Sequence, residues 1–234
     1  MGKYVKTGSE YKIDFESGDI DDYFSIHPIQ YSIGNVSFNG NHSLKFYTPR
    51  TAGLSYAYSI PFNPISPTII SMYARYDGSA TRNDDYKFVV YNDTGAGTTL
   101  WNFRRQSSQA NPRHVIFVNI TTGFIMTVGK WYKFSVTIDY DAMTCVGTIY
   151  NETDSVLEYT SPARTWRLPY ITRYQIVAEM TAPICGPYYI DDIYFNDATV
   201  AWQRVNNDYV KTTTGMKRIK ADYVKTSTGM KRIN

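Results

Sequence analysis

The chain is short of the residue types on which most catalytic and metal chemistry draws. Cys145 and Cys185 are its only cysteines. They sit far apart in the apolar stretches TCVGTIY and APICGPYY, so they supply neither a disulfide framework nor a zinc knuckle. Buried free thiols are expected instead. The three histidines, His27, His42 and His114, are scattered, and none has a partner at metal-ligand spacing, which excludes a zinc site. No apolar run reaches the roughly 18 residues that cross a bilayer. The opening MGKYVKTG has no apolar core of a secretory leader, so the protein is expected to stay in the cell that makes it or to leave by lysis or inside a particle, and no membrane partner is expected. There is no G-x-S-x-G, no glycine loop to cradle phosphate and no histidine placed to activate a nucleophile. The acidic pairs Asp84/Asp85 and Asp139/Asp141 fall at turns. Only a long-range pairing such as Glu158 with Glu179 could supply the two carboxylates of a glycan hydrolase.

Tyrosine is abundant, at 22 of 234 residues, as in all-β proteins and binding faces. Charge is unevenly spread. Residues 207–234 carry seven Lys/Arg and two Asp, whereas the first 206 carry 17 basic and 19 acidic groups. A near-neutral body with a basic tail does not indicate a nucleic-acid partner. The tail contains one 14-residue unit written twice: 207–220 and 221–234 differ only at Asn207/Ala221, Thr213/Ser227 and Lys220/Asn234. KYVKTGSEYKI, from Lys3 to Ile13, is a shorter third copy.

Between these cassettes the chain reads as strands joined by turns. Examples are YKFVVYN (Tyr86–Asn92), KWYKFSVTIDY (Lys130–Tyr140), CVGTIYN (Cys145–Asn151), RYQIVAEM and PYYIDDIYF. In KFSVTID, Phe134, Val136 and Ile138 share one face by period-two alternation. Gly, Asn, Asp and Pro punctuate about every ten residues. The N-x-S/T strings at Asn35, Asn41, Asn92, Asn119 and Asn151 read as turn chemistry. The fold class expected is all-β: an antiparallel β-sandwich of jelly-roll type over 14–201. It is flanked by a β cassette at 1–13 and two tandem hairpins within 202–234. In each hairpin YVKT and MKRI are the strands, with Thr213-Thr214-Gly215 connecting the first pair. Trp131 is expected in the core.

The order FESGD, GNHSLKF, GKWYKFSVTID, YYIDDIYF resembles concanavalin A-like and carbohydrate-binding-module jelly rolls, over about Asp14 to Asn196. The resemblance implies adjacent first and last strands and a structural calcium held by Glu16, Asn41 and Asp192, with Asp14 or Asp19 as alternates; such loops supply the hard oxygens calcium takes. It also implies glycan binding. Flat aromatics beside polar forks would serve this, and SMYARYDG and LWNFRRQ offer Tyr73, Arg75, Tyr76, Trp101, Arg104 and Arg105.

The YVKT…G-x-K-R-I cassette resembles short repeats at the ends of bacteriophage structural proteins, with Met216 and Met230 where such repeats often carry Trp. This implies a virion component, in a tail, fibre or capsid decoration. Tyr209, Val210, Met216, Ile219, Tyr223, Val224, Met230 and Ile233 would form the assembly anchor. Isolated hairpins are marginal in water, so the anchor requires a partner: other virion proteins, or further copies of the chain in an oligomer, a trimer being favoured. A cell-surface glycan is the expected partner of the body. Three functions remain from the sequence: a virion adhesin that binds glycans, a decoration protein with no ligand, and a glycan-degrading enzyme.

Overall fold

The computed structural model describes residues 5–7, 10–28, 31–46, 53–78, 84–104, 114–180 and 187–196, and four strands within the tail at 209–212, 215–218, 223–226 and 229–232. Two antiparallel sheets carry almost all of it. The larger, ten-stranded sheet runs β1 (Val5–Thr7), β2 (Glu10–Ile13), β17 (Tyr188–Asn196), β7 (Ile69–Tyr76), β12 (Trp131–Asp139), β13 (Thr144–Asn151), β14 (Val156–Thr160). Beside this path β5 (Ser43–Phe46) pairs with β17 and β4 (Tyr31–Gly34), and β15 (Arg164–Thr165) pairs with β13. The second sheet has seven strands: β11 (Ile120–Ile125), β10 (His114–Phe117), β9 (Gly97–Arg104), β8 (Asp84–Tyr91), β16 (Arg173–Met180), β6 (Gly53–Ser59), β3 (Phe24–Ile26). The all-β sandwich read from the strand pattern is therefore the observed fold.

Alternation explains how the sheets close on each other. On β12, Tyr132, Phe134, Val136 and Ile138 are buried. On β16 the buried inner set is Tyr174, Ile176 and Ala178, and on β8 it is Tyr86, Phe88 and Val90. Aromatic rings dominate the core: Trp101 lies 4.6 Å from Phe117 and 5.3 Å from Phe134, and Phe103 is 4.9 Å from Phe134. Burying such rings contributes about 1.5–3 kcal/mol each. Turn chemistry is explicit at two of the asparagines singled out above: Asn92 Oδ1 accepts from the backbone N–H groups of Thr94 and Ala96, and Asn119 has φ of +65°. Cys145 is buried and free, and desolvation pushes its thiol up to about 11. Cys185 lies outside the described residues.

The termini differ from each other. The N-terminal cassette folds as a β1–β2 hairpin, and β2 also pairs along β17, with Ile13 opposite Ile193 and Tyr11 opposite Phe195. First and last strands of the sandwich thus lie side by side. In the tail, β18 (Tyr209–Thr212) pairs with β19 (Gly215–Arg218), and β20 (Tyr223–Thr226) with β21 (Gly229–Arg232), in the same register. Thr212 faces Gly215, so the connection is Thr213-Thr214, and the glycine begins the second strand rather than ending the loop. Ile219 and Ile233 lie outside the described residues.

Candidate functional site

The outer face of the seven-stranded sheet brings together side chains that are far apart in sequence. Strand register lays them out in rows. Arg173 on β16 faces Tyr91 on β8, which faces Gly97 on β9. The next row is Tyr58, Gln175, Val89 and Thr99; the third is Tyr56, Val177, Lys87 and Asn102. In the fourth, Asp85 faces Arg104. These are the positions that alternate with the core residues of the same strands, so the sheet's own periodicity presents them outward.

The centre of this face is nearly dry and its margin is wet. Gln175 is 3% exposed, Val177 8% and Val89 5%, whereas Tyr56 is 40% exposed. The guanidinium of Arg173 lies 5.3 Å from the ring centroids of both Tyr58 and Tyr91. The Tyr91 hydroxyl donates to Gln175 Oε1 at 2.7 Å; burial pushes that hydroxyl's pKa up, and the nearby Tyr58 adds to the effect. Gly97 makes room for the Tyr91 ring: a Cβ there would meet a ring carbon at 2.4 Å. At the far end Asp85 holds Lys87 at 4.0 Å and Arg104 at 3.4 Å. Tyrosine faces, a buried amide and a guanidinium on one rigid sheet are what a sugar, with its C–H faces and hydroxyl rim, requires.

The glycan set expected from the sequence does not form one patch. Tyr76 and Trp101 are 2% and 1% exposed and belong to the core. They correct the expectation: neither offers a face to a ligand. Tyr73 and Arg75 share the outer face of the ten-stranded sheet. There Tyr73 is covered by Phe38, whose ring stacks on it at 3.9 Å, and Arg75 is engaged by Asp77 at 2.6 Å. Arg104 lies on the other sheet, within the face described above. Arg105 lies outside the described residues. Trp131 is 7% exposed, but it alternates with the inner set of β12 and sits on the outer face, edge-on to Phe38 at 5.9 Å.

The carboxylates expected to hold calcium near the junction of the first and last strands serve the backbone instead. Glu16 Oε1 accepts from the N–H groups of Asn41 and His42, each at 2.9 Å. Glu16 packs so tightly on Gly40 that a Cβ there would meet Oε1 at 2.4 Å. Desolvation opposes its charge, yet these N–H donors hold it below its ordinary pKa. Asp191, adjacent to the expected ligand Asp192, is fully buried. Its Oδ2 accepts from the N–H of Phe38 at 2.8 Å and of Asn39 at 3.1 Å, and its Oδ1 from Asp192 N–H at 2.8 Å. Asp192 Oδ1 lies 2.8 Å from the ammonium of Lys12. The alternate Asp14 accepts from the N–H of Glu16, and Asp19 from that of Asp21. A calcium site needs six to eight free oxygens around one point. Here the carboxylates are turned to N–H donors and a lysine. Among the described residues no group of three His, Cys, Asp or Glu could hold a metal ion. The expected calcium does not fit Glu16, Asn41 and Asp192 as they stand.

The pair Glu158 and Glu179 is not assembled either. Glu158 is on β14 in the ten-stranded sheet and accepts from Asn151, whereas Glu179 is on β16 in the other sheet.

No family model and no curated protein sequence matches the chain. Solved structures do match in fold. The catalytic domain of the glycoside hydrolase family 131 protein from Coprinopsis cinerea aligns with TM-score 0.50 and 11% identity, over 80% of this chain and 89% of that one. Lectin UEA-II, solved in complex with galactose, aligns with TM-score 0.49 and 10% identity over 80% and 97%. Lectin I-B4 from Griffonia simplicifolia, in a metal-free form, gives 0.49 and 13% over 80% and 98%. At 11% identity the likeness to the hydrolase domain supports the two-sheet antiparallel β-sandwich and nothing finer. Among the described residues no helix is long and apolar enough to cross a membrane.

Proposed function

We propose that the protein is a bacteriophage virion component whose sandwich binds glycans through the outer face of its seven-stranded sheet. The observation that carries the binding half is the Tyr58–Arg173–Tyr91 cluster over Gln175, flanked by the exposed Tyr56. Rigid aromatic rings with two fixed polar groups orient a sugar at small entropic cost. The virion half is supported by the repeated cassette. Two copies fold as separate hairpins in identical register, and short strands with unpaired edges join a neighbouring sheet by strand addition. Two copies raise the effective concentration at the docking site.

A glycan array probed with the full chain, beside a Tyr58→Ala/Tyr91→Ala variant, tests the binding half. Binding that the variant loses is expected. Equal binding by both proteins, or none by either, overturns it. Deleting residues 207–234 tests the anchor: the sandwich should fold, and copurification with particles should cease. Truncated protein that still copurifies refutes the anchor. Assaying reducing-sugar release from whatever polymer binds separates adhesion from cleavage.

A further inference from the structure

The outer face of the seven-stranded sheet carries a guanidinium with no ion-pair partner among the described residues. Arg173 contacts two rings through its guanidinium. No described carboxylate forms an ion pair with it, and it has no further interaction with a described residue. The other positive groups of the face differ: Lys87 and Arg104 both flank Asp85. Asp93, in the turn after β8, accepts from the Tyr170 hydroxyl. At the Arg173 end, then, one half-buried guanidinium lies between two aromatic rings beside Gln175, whose Oε1 is occupied by Tyr91 and whose amide N–H groups have no described acceptor. Donors predominate at this end. A neutral sugar would leave the guanidinium without a counter-charge in a partly desolvated site, which is costly. A carboxylate would accept from it in the planar, two-pronged geometry that guanidinium groups favour.

We propose that the face recognises an acidic glycan, a uronic-acid polymer whose sugar ring packs on Tyr58 and Tyr91 and whose carboxylate meets Arg173, with the Gln175 amide as second donor. This inference rests on the reading of the face as a glycan site and narrows its ligand class. It also assigns roles: the tyrosines supply affinity for any sugar ring, and Arg173 supplies discrimination between acidic and neutral sugars.

The test uses the full chain in affinity electrophoresis through gels holding polygalacturonate, alginate or hyaluronan, each beside its carboxyl-reduced form, which keeps a sugar backbone and removes the charge. At least one acidic polymer should retain the protein about 10- to 100-fold more tightly than its reduced form, the range of a charge-assisted pair. Added salt should shrink that ratio. Arg173→Gln should abolish the ratio while leaving weak binding to the reduced polymer. Arg173→Lys should restore part of it. Near-ultraviolet circular dichroism of the variants checks that the sandwich is intact. If acidic and reduced forms bind alike, or Arg173→Gln keeps the full ratio, the acidic specificity is overturned. The face reading falls with it only if Tyr58→Ala/Tyr91→Ala also binds every polymer as the wild type does.

Discussion

Replacing Asp191 by asparagine should change how stability depends on pH. The side chain is fully buried and accepts three backbone N–H groups. Burial first, and the adjacent Asp192 charge next, outweigh those donors and push its pKa up to about 7. In the unfolded chain an aspartate titrates near ~3.9. The folded value is therefore the higher one. Between the two the native state binds more protons than the unfolded state, so the contribution is fully present below the unfolded value. It is lost as pH rises through the folded value. About three pH units at roughly 1.36 kcal/mol each make this loss on the order of 4 kcal/mol. Asp191→Asn keeps the shape and cannot ionise. Its amide turns a donor toward a backbone N–H, which adds an offset of about 1–3 kcal/mol that does not vary with pH. Urea denaturation of both proteins at about pH 4.5, 6 and 8 separates the two effects, because every other titrating group is common to them. Wild-type stability minus variant stability should fall by about 3 kcal/mol from the lowest pH to the highest. A difference that stays constant to within about 0.5 kcal/mol would refute the argument.

Three further outcomes follow from the packing. Because Lys12 and backbone N–H groups satisfy the junction carboxylates, neither a chelator nor millimolar calcium should move the melting temperature by more than about 1 °C; a rise of several degrees with calcium, as mass action gives for a ligand of the folded state, would contradict this. Trp101→Ala should cost about 3–5 kcal/mol in urea denaturation, as removal of a core ring does, and a cost under about 1 kcal/mol would mean that Trp101 is not the core residue described. Gly97→Ala should cost about 1–3 kcal/mol in urea denaturation, since its Cβ would overlap the held Tyr91 ring, and by displacing Tyr91 it should weaken binding to whichever acidic polymer retains the wild type; unchanged affinity would show that Tyr91 is not a contact.

Much of the framework was legible because burial on one face writes itself into period-two sequence. Phe134, Val136 and Ile138 gave the inner face of β12 directly. Trp101 and Phe103 do share a face, as alternation required, but alternation alone does not say which face is inner. The register shift opposite Phe88 and Val89, which buries Leu100 beside Trp101, leaves no mark a reader could use. The face proposed to bind glycan escaped the sequence reading for a different reason. Its residues come from β6, β8 and β16, and only sheet order places Tyr58, Tyr91 and Arg173 together. A signal did exist: Tyr56 and Tyr58, Lys87 and Tyr91, and Arg173 and Gln175 put large polar or aromatic groups at most of the outer positions of three strands, between the aliphatic Val89 and Val177. At the strand junction, the IDD motif was read for Asp192. Its neighbour Asp191 does the holding, because a register shift between Asp191 and Tyr194, with Asp192 at φ of +45°, re-aims both side chains.

Glycan binding on the seven-stranded sheet places the ligand at Tyr56, Tyr58 and Tyr91. It is tested most directly by tyrosine ring resonances of ¹³C-labelled protein, titrated with oligosaccharides of whichever polymer retains the protein best. Tyr56, Tyr58 and Tyr91 should shift and saturate with one common affinity, while Tyr73, covered by Phe38 on the other sheet, stays still. Shifts centred on Tyr73 with Tyr58 and Tyr91 unmoved would place the ligand elsewhere and contradict the account.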